Sequence, residues 1–347
     1  MTQFSTLALA GVAFLGLGLQ ASADSLDRTG SLLLFPLFDN SRGGIFTVTV
    51  TNTNNDNTPG PVINGNTLLA GTVDVEFVYI DGSICLEFNR TRRLTPMDTI
   101  TVITRFDNPN QTTGYVYTFA KNPVTGKAIK WDWLAGDSFD AAPDILGGVD
   151  FAPVVYKAGS ALSQGANTDL DNDGKRDLNG LEYEKTSSEL IVPRFVSDFD
   201  GVSQPELILI GLTGASFTTI VNFLVYNDNE EVFSAQYAFD CWDRVRLAQI
   251  NGVFTDAFLD STNNALPEQI PGSVFAAAVP IALETGWFHM DGAVAFSTAA
   301  SVSDPAFMAV RIERFLGGHV AAASLPYGIG LQANGDLVNH GPFPDSN

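Results

Sequence analysis

Val73-Asp74-Val75-Glu76-Phe77-Val78-Tyr79-Ile80-Asp81-Gly82-Ser83-Ile84-Cys85-Leu86-Glu87-Phe88 decides the fold class. Val73, Val75, Phe77 and Tyr79 alternate with Asp74, Glu76 and Val78; Asp81-Gly82 supplies a turn, and Ile84, Leu86 and Phe88 return. A period of two sends successive side chains to opposite faces, so the stretch predicts a β-hairpin with one oily face.

The same period extends outward. Phe46, Val48 and Val50 alternate with Thr47, Thr49 and Thr51, and Ser31 to Phe35 is a short apolar run stopped by Pro36. Asn52 to Asn66, with Pro59, Gly60 and Pro61, reads as a loop. Further strands are expected at Asp98 to Thr104, from Tyr115 to Phe119, and at Lys127 to Leu134. Helical periodicity is absent throughout this half. Short strands separated by Gly, Pro and Asn predict an all-β chain, an antiparallel sandwich or barrel.

From Ala141 to Pro205 the pattern lapses into Gly-, Asp- and Ser-rich sequence with brief apolar runs at Phe151 to Tyr156 and Leu190 to Phe195. The second half then repeats the first. Phe217 to Tyr226 and Val232 to Phe239 flank a turn as the two arms of the opening hairpin do, Val245 to Ile250 answers Asp98 to Thr104, and Thr285-Gly286-Trp287 answers Thr113-Gly114-Tyr115. Phe307 to Ile312 is matched to Lys127 to Leu134. The reading is two tandem antiparallel β-sandwich units, 24–140 and 205–347, joined by a connector at 141–204. Two spans fall outside this pattern: Val253 to Ser261 suits a short helix, and Ser273 to Leu283 is Ala-rich. The tail beyond Leu331 is rich in Asn, Gly and Pro and is expected to fray.

The connector carries the one stretch that states a chemistry: Asp169-Leu170-Asp171-Asn172-Asp173-Gly174-Lys175-Arg176-Asp177, followed by Asn179, Gly180, Glu182 and Glu184. Carboxylates at loop positions one, three, five and nine, with Gly at six for the tight turn, can wrap a hard cation in oxygen ligands. A bound ion would also order a connection this long. The loop resembles the calcium loops of dockerin and thrombospondin type 3 repeats and, more distantly, the EF-hand, over Asp169 to Glu184. The resemblance implies calcium, held by side chains of Asp169, Asp171, Asp173 and Asp177 and by the Lys175 carbonyl. Position twelve departs from the pattern: Gly180 stands where a bidentate Glu belongs, so Glu182 or Glu184 must reach back, or water fills the gap. That implies weak affinity, a Kd of roughly 10⁻⁴ to 10⁻³ M. A solvated acidic turn is the bland alternative.

Met1 to Phe4 precede an apolar run from Ser5 to Leu19, and Ala21-Ser22-Ala23 ends it in a signal-peptidase pattern, so residues 1–23 are expected to be an export signal. The run is shorter than the roughly 20 apolar residues that span a bilayer. The 347 residues less those 23 leave 324, enough for two cores. Eighteen basic against 39 acidic residues give a net charge of −21, which excludes nucleic acid as a partner, while 45% hydrophobic residues and 25 Phe argue for a packed interior. Cys85 and Cys241 are the only cysteines, and in an oxidising compartment such a pair is expected to form a disulfide, reduced buried thiols being the alternative.

Three further groups bear on binding. Arg90, Arg92 and Arg93 could receive a carboxylate or an acidic glycan, or pair with the chain's own acids. Trp131, Trp133, Trp242 and Trp287 could stack on sugar rings, or pack in the core; Trp131 and Trp133 are expected on one face of a strand. The three histidines, His289, His319 and His340, form no zinc-type motif, and no GxSxG elbow or phosphate-cradling loop is present. The phrases Gly30-Ser31-Leu32-Leu33-Leu34-Phe35-Pro36, Leu86-Glu87-Phe88-Asn89-Arg90-Thr91, Gly114-Tyr115-Val116-Tyr117 and Tyr226-Asn227-Asp228-Asn229-Glu230-Glu231-Val232-Phe233 resemble an uncharacterised family of exported bacterial proteins. That resemblance implies secretion and a β-rich fold and brings no known activity. The expected function is a secreted, calcium-stabilised structural, adhesive or surface-associated protein without catalytic activity, its partners an extracellular protein, a polysaccharide or further copies of itself. A glycan-binding sandwich and a carboxylate-based glycoside hydrolase are the alternatives.

Overall fold

The computed structural model describes residues 28–41, 43–141, 148–214, 217–227, 230–261, 283–298, 300–315 and 320–337. The expected export signal, His319, His340 and all of the Ala-rich span except Leu283 lie outside the described residues. Within them the chain is all-β, and no helix is long and apolar enough to cross a membrane.

The first unit runs β1 (Leu32–Asp39), β2 (Ile45–Asn52), a small hairpin of β3 (Pro59–Ile63) and β4 (Asn66–Leu69), β5 (Val73–Asp81), β6 (Glu87–Leu94) and β7 (Thr99–Ile103). A one-turn helix α1 (Thr104–Asp107), β8 (Thr113–Lys121), β9 (Leu134–Ala141), β10 (Val149–Phe151) and β11 (Val154–Tyr156) complete it. Sheet I has the order β10-β9-β2-β7, and sheet II the order β11-β1-β8-β5-β6. After β12 (Arg176–Leu178), the second unit comprises β13 (Thr186–Val196), β14 (Ser203–Gly211), β15 (Thr218–Asn227), β16 (Val232–Phe239), β17 (Trp242–Arg246), the short helices α2 (Leu247–Ile250) and α3 (Asp256–Leu259), β18 (Thr285–Phe296), β19 (Ser301–Ser303), β20 (Phe307–Phe315), β21 (Val320–Ser324) and β22 (Tyr327–Ala333). Sheet III has the order β21-β20-β14-β17 and sheet IV the order β22-β13-β18-β15-β16, with β19 attached to β18.

Strand for strand, sheet IV repeats sheet II and sheet III repeats sheet I. The irregularities repeat too. The β1–β8 ladder slips between Phe35 and Phe38, around Pro36; the β13–β18 ladder slips between Val192 and Phe195, around Pro193. Proline has no N–H to give a ladder, so both strands bulge there. Where β8 and β18 begin, a Cβ on Gly114 would stand 1.9 Å from the Ile80 carbonyl oxygen, and one on Gly286 would stand 2.3 Å from that of Tyr226.

These facts move the expected boundaries. The second unit begins at Thr186, inside the span read as connector, because Pro193 and Arg194 interrupt the apolar run of β13 and disguise it. The first unit extends past 140 to Tyr156, through two strands of three residues, too short to show alternation. The counterpart of β20 in the first unit is β9, not the expected Lys127 to Leu134, which forms isolated bridges at Ala128 and Ile129 and a turn. The expected short helix appears as a 3₁₀ turn at Gly252–Phe254 and then α3. The part of the expected fraying tail that is described, up to Leu337, is structured, since β23 (Gly335–Leu337) pairs with β12; residues 338–347 lie outside the described residues.

The two sandwiches share a core. Leu207, Leu209, Phe307 and Ala309 point into the cluster between sheets III and IV, whereas Ile208, Ile210, Met308 and Val310 join the cluster of the first unit. On the facing side, a Cβ on Gly136 of sheet I would touch Phe35 and Leu33, so Leu32 and Leu34 point away from sheet I and are still fully buried. Strands buried on both faces explain the unbroken runs Leu32 to Phe35 and Leu207 to Ile210. The junction is fastened by the Cys85–Cys241 disulfide, by the Trp242 indole N–H donating to the Pro36 carbonyl at 3.0 Å, and by Arg244 at 3.5 Å from Asp39. Arg244 also meets Glu206 at 2.7 Å. Burial opposes ionisation of Glu206, but Arg244 and Arg314 outweigh it and hold the carboxyl below its ordinary value.

Candidate metal centre

The acidic loop lies between the two sandwiches. Carboxylate oxygens of Asp169, Asp171 and Asp173 lie within 4.8 Å of one another, so the triad could hold a metal ion. Local geometry follows from the residue order. Asn172 (φ 60°) and Gly174 (φ 83°) take left-handed backbone, which folds the alternate aspartates inward. Asx turns set the spacing: the Asp173 N–H donates to Asp171 at 3.1 Å and the Lys175 N–H to Asp173 at 2.8 Å. The donor set is carboxylate oxygen alone, which suits a hard cation. Asp169 Oδ1 is buried with no hydrogen-bond partner among the described residues, which fits a metal-ligand atom.

Glu182 does reach back, but onto backbone: it accepts the Leu170 N–H at 2.5 Å and the Asp177 N–H at 3.3 Å, bracing loop positions two and nine. Asp177 stands outside the triad and accepts from the Asn179 amide at 3.2 Å. The Lys175 ammonium lies 3.1 Å from Asp336 of β23 and 3.5 Å from Asp173. Arg176 sits 3.6 Å from Asp169 and covers the Phe119 ring of sheet II at 4.8 Å. The loop is thereby tied to sheet II on one side and to the C-terminal strand on the other. Three acids beside the triad ionise reluctantly. Burial pushes Asp177, Glu182 and Asp336 above the ordinary carboxylate range, and the charges of Asp171 and Asp173 push Asp177 further.

The other expected sites fare differently. Arg93 forms a two-pronged pair with Asp74 at 2.7 and 2.9 Å, Arg92 pairs with Asp107, and Arg90 donates to the Asp107 carbonyl at 3.1 Å while lying over Phe88. The cluster thus serves the chain's own acids. Trp131 and Trp133 occupy a turn rather than a strand and pack edge to face, with centroids 4.9 Å apart. Trp131 is buried, its indole N–H donating to Asn52, so the pair presents no outward platform. His289 meets only Glu189, at 3.0 Å, among the described acids.

One surface went unread in the sequence: the outer face of sheet IV. In sheet II the corresponding face carries Leu34, Tyr117 and Val78 in one cross-strand row and Tyr115 and Ile80 in the next, all buried. In sheet IV the same rows are Ile191, His289 and Leu224, then Trp287 and Tyr226, whose rings stack at 3.9 Å. Leu224, Val232, Phe296 and Tyr327 on this face are 40 to 53% exposed. The available signal was a strand apolar on both faces, Ile220 to Tyr226.

The architecture and the loop define an all-β, two-sandwich protein with a candidate cation site at the junction. No family model and no curated protein matches the chain. Two solved structures are similar at 10% identity: a chain in the cryo-EM structure of broad bean stain virus (89% of this chain, 97% of that one, TM-score 0.19) and one of the cowpea mosaic virus top component, naturally occurring empty particles (96% and 98%, TM-score 0.17). Likeness at such TM-scores carries no argument about fold or function.

Proposed function

We propose that this is a secreted, calcium-stabilised structural protein of the cell exterior that attaches, to its own kind or to an envelope component, through the outer face of sheet IV. The observation that carries the reading is the contrast between duplicate faces. The face is covered by packed protein in the first unit and is exposed, apolar and aromatic in the second. The apolar part of the face, with Tyr226, Trp287, Leu224, Val232 and Tyr327, lies beside a polar row of Glu189, Asp291, Asn222 and Gln236, and an exposed apolar patch rimmed by polar residues marks a docking surface. Calcium at Asp169, Asp171 and Asp173 would neutralise the acidic junction and hold the units at one angle, so that the face is presented rigidly.

Leu224→Glu places a charge at the centre of that face without touching either core. It is expected to leave the melting temperature within a few degrees and to abolish concentration-dependent assembly in sedimentation equilibrium, together with retention on isolated cell envelopes. Unchanged assembly and retention would refute the role of the face.

A further inference from the structure

A second feature, distinct from the outer face of sheet IV, lies where sheet IV meets the first unit. A cleft of about 920 Å³ opens between the first unit, the stretch after the acidic loop, and strands β13 and β22. Four of its 17 lining residues are basic, Arg28, Lys130, Lys157 and Lys185, in a chain with only 18 basic residues among 347. Two acids share the cleft, and both are engaged. Asp132 accepts from the Ser31 hydroxyl at 2.6 Å and the Ala158 N–H at 3.0 Å, with the Lys130 ammonium at 3.5 Å. Glu184 accepts the Lys157 N–H at 3.1 Å and lies 3.6 Å from Arg28.

Lys157 and Lys185 therefore face the cleft with no ion-pair partner among the described residues. In a protein of net charge −21, two uncompensated ammonium groups in one concavity create a local field that attracts an anion. The volume falls within the range of small-molecule sites and far exceeds what a lone inorganic anion occupies. Ser160, Ser187 and Gln332 add side-chain donors and acceptors of the kind that sugar hydroxyls use. We propose that this junction cleft binds a short acidic saccharide, its carboxylates received by Lys157 and Lys185. Because the walls come from both units, such a ligand would bridge them.

The test is isothermal titration calorimetry of the full chain with trigalacturonic acid, maltotriose and sodium sulfate. Saturable binding of trigalacturonic acid is expected. It should weaken at least tenfold in Lys157→Ala/Lys185→Ala and in high salt, stay unchanged in Lys127→Ala outside the cleft, and have no counterpart with maltotriose. Absence of binding, equal binding of maltotriose, sulfate binding as tight as the trimer, or an undiminished double variant would overturn the proposal. A melting curve of the double variant matching the native one separates lost contacts from lost folding.

Discussion

Cys85→Ser/Cys241→Ser should unfold at a temperature at least 10 °C below the native chain, which corresponds to about 5 kcal/mol at the usual slope for large domains. The bridge joins the β5–β6 turn of one sandwich to the strand entry of β17 in the other, across 156 residues of sequence. Closing so long a loop removes about 5 kcal/mol of conformational freedom from the unfolded chain in the loop-entropy account. Here it also fixes the contact between units, because the adjoining Trp242 ring lies against Gly82, leaving no room for a side chain there. Reductant should lower the melting temperature of the native protein by the same amount and leave the double variant unaffected. Scanning calorimetry with and without reductant reads both, and a shift below about 1 kcal/mol would contradict a junction held by the bridge.

Gly114→Ala is expected to cost about 4 kcal/mol or more, placing it among the severe point changes. The added carbon would stand 1.9 Å from the Ile80 carbonyl oxygen and 2.8 Å from the Gly82 nitrogen, both backbone atoms that cannot rotate away. The β5–β8 pairing would have to open where the chain enters the centre of sheet II. Gly252→Ala, with no atom within 4 Å of the new carbon, should change stability by no more than about 0.5 kcal/mol. Chemical denaturation of the two variants compares them directly; equal midpoints would show that the close approach does not govern the fold.

Much of the architecture was legible because strands whose two faces differ in polarity alternate cleanly. Phe46 to Thr51 and Val73 to Tyr79 gave their faces away through period-two hydrophobicity, and Thr285-Gly286 against Thr113-Gly114 exposed the repeat. The misplaced boundaries share one physical cause. Strand β13 is broken by Pro193 and Arg194, and β10 to β12 each span three residues, so the signal falls below what alternation can carry. Pro36, which stops the run Ser31 to Phe35, and Pro193, inside the run Leu190 to Phe195, marked the equivalent bulges and were the missed clue. At the acidic loop, spacing named the triad, but long-range partners such as Asp336 could not be read, since β23 meets β12 only through the fold. The sequence offers Glu182 as a ligand reaching back to the ion in place of position twelve, whereas its hold on the Leu170 and Asp177 amides depends on burial that sequence does not encode locally.

Calcium held by the junction aspartates, as proposed, would stabilise the arrangement of the two sandwiches. Burial raises the pKa values of Asp177, Glu182 and Asp336 in the folded chain. The stability they contribute is therefore present below the ordinary carboxylate range and is lost as pH rises through their folded values. A divalent cation offsets that loss, so its benefit should be larger at neutral pH than near pH 5. With a Kd of about 1 mM, about 10 mM calcium stabilises by roughly 1.4 kcal/mol, a rise of a few degrees. Scanning calorimetry at both pH values, with calcium or chelator, on the native chain and Asp171→Ala, measures this. A rise that is greater near pH 7 and absent in Asp171→Ala is predicted, and identical melting curves with calcium and with chelator would contradict it.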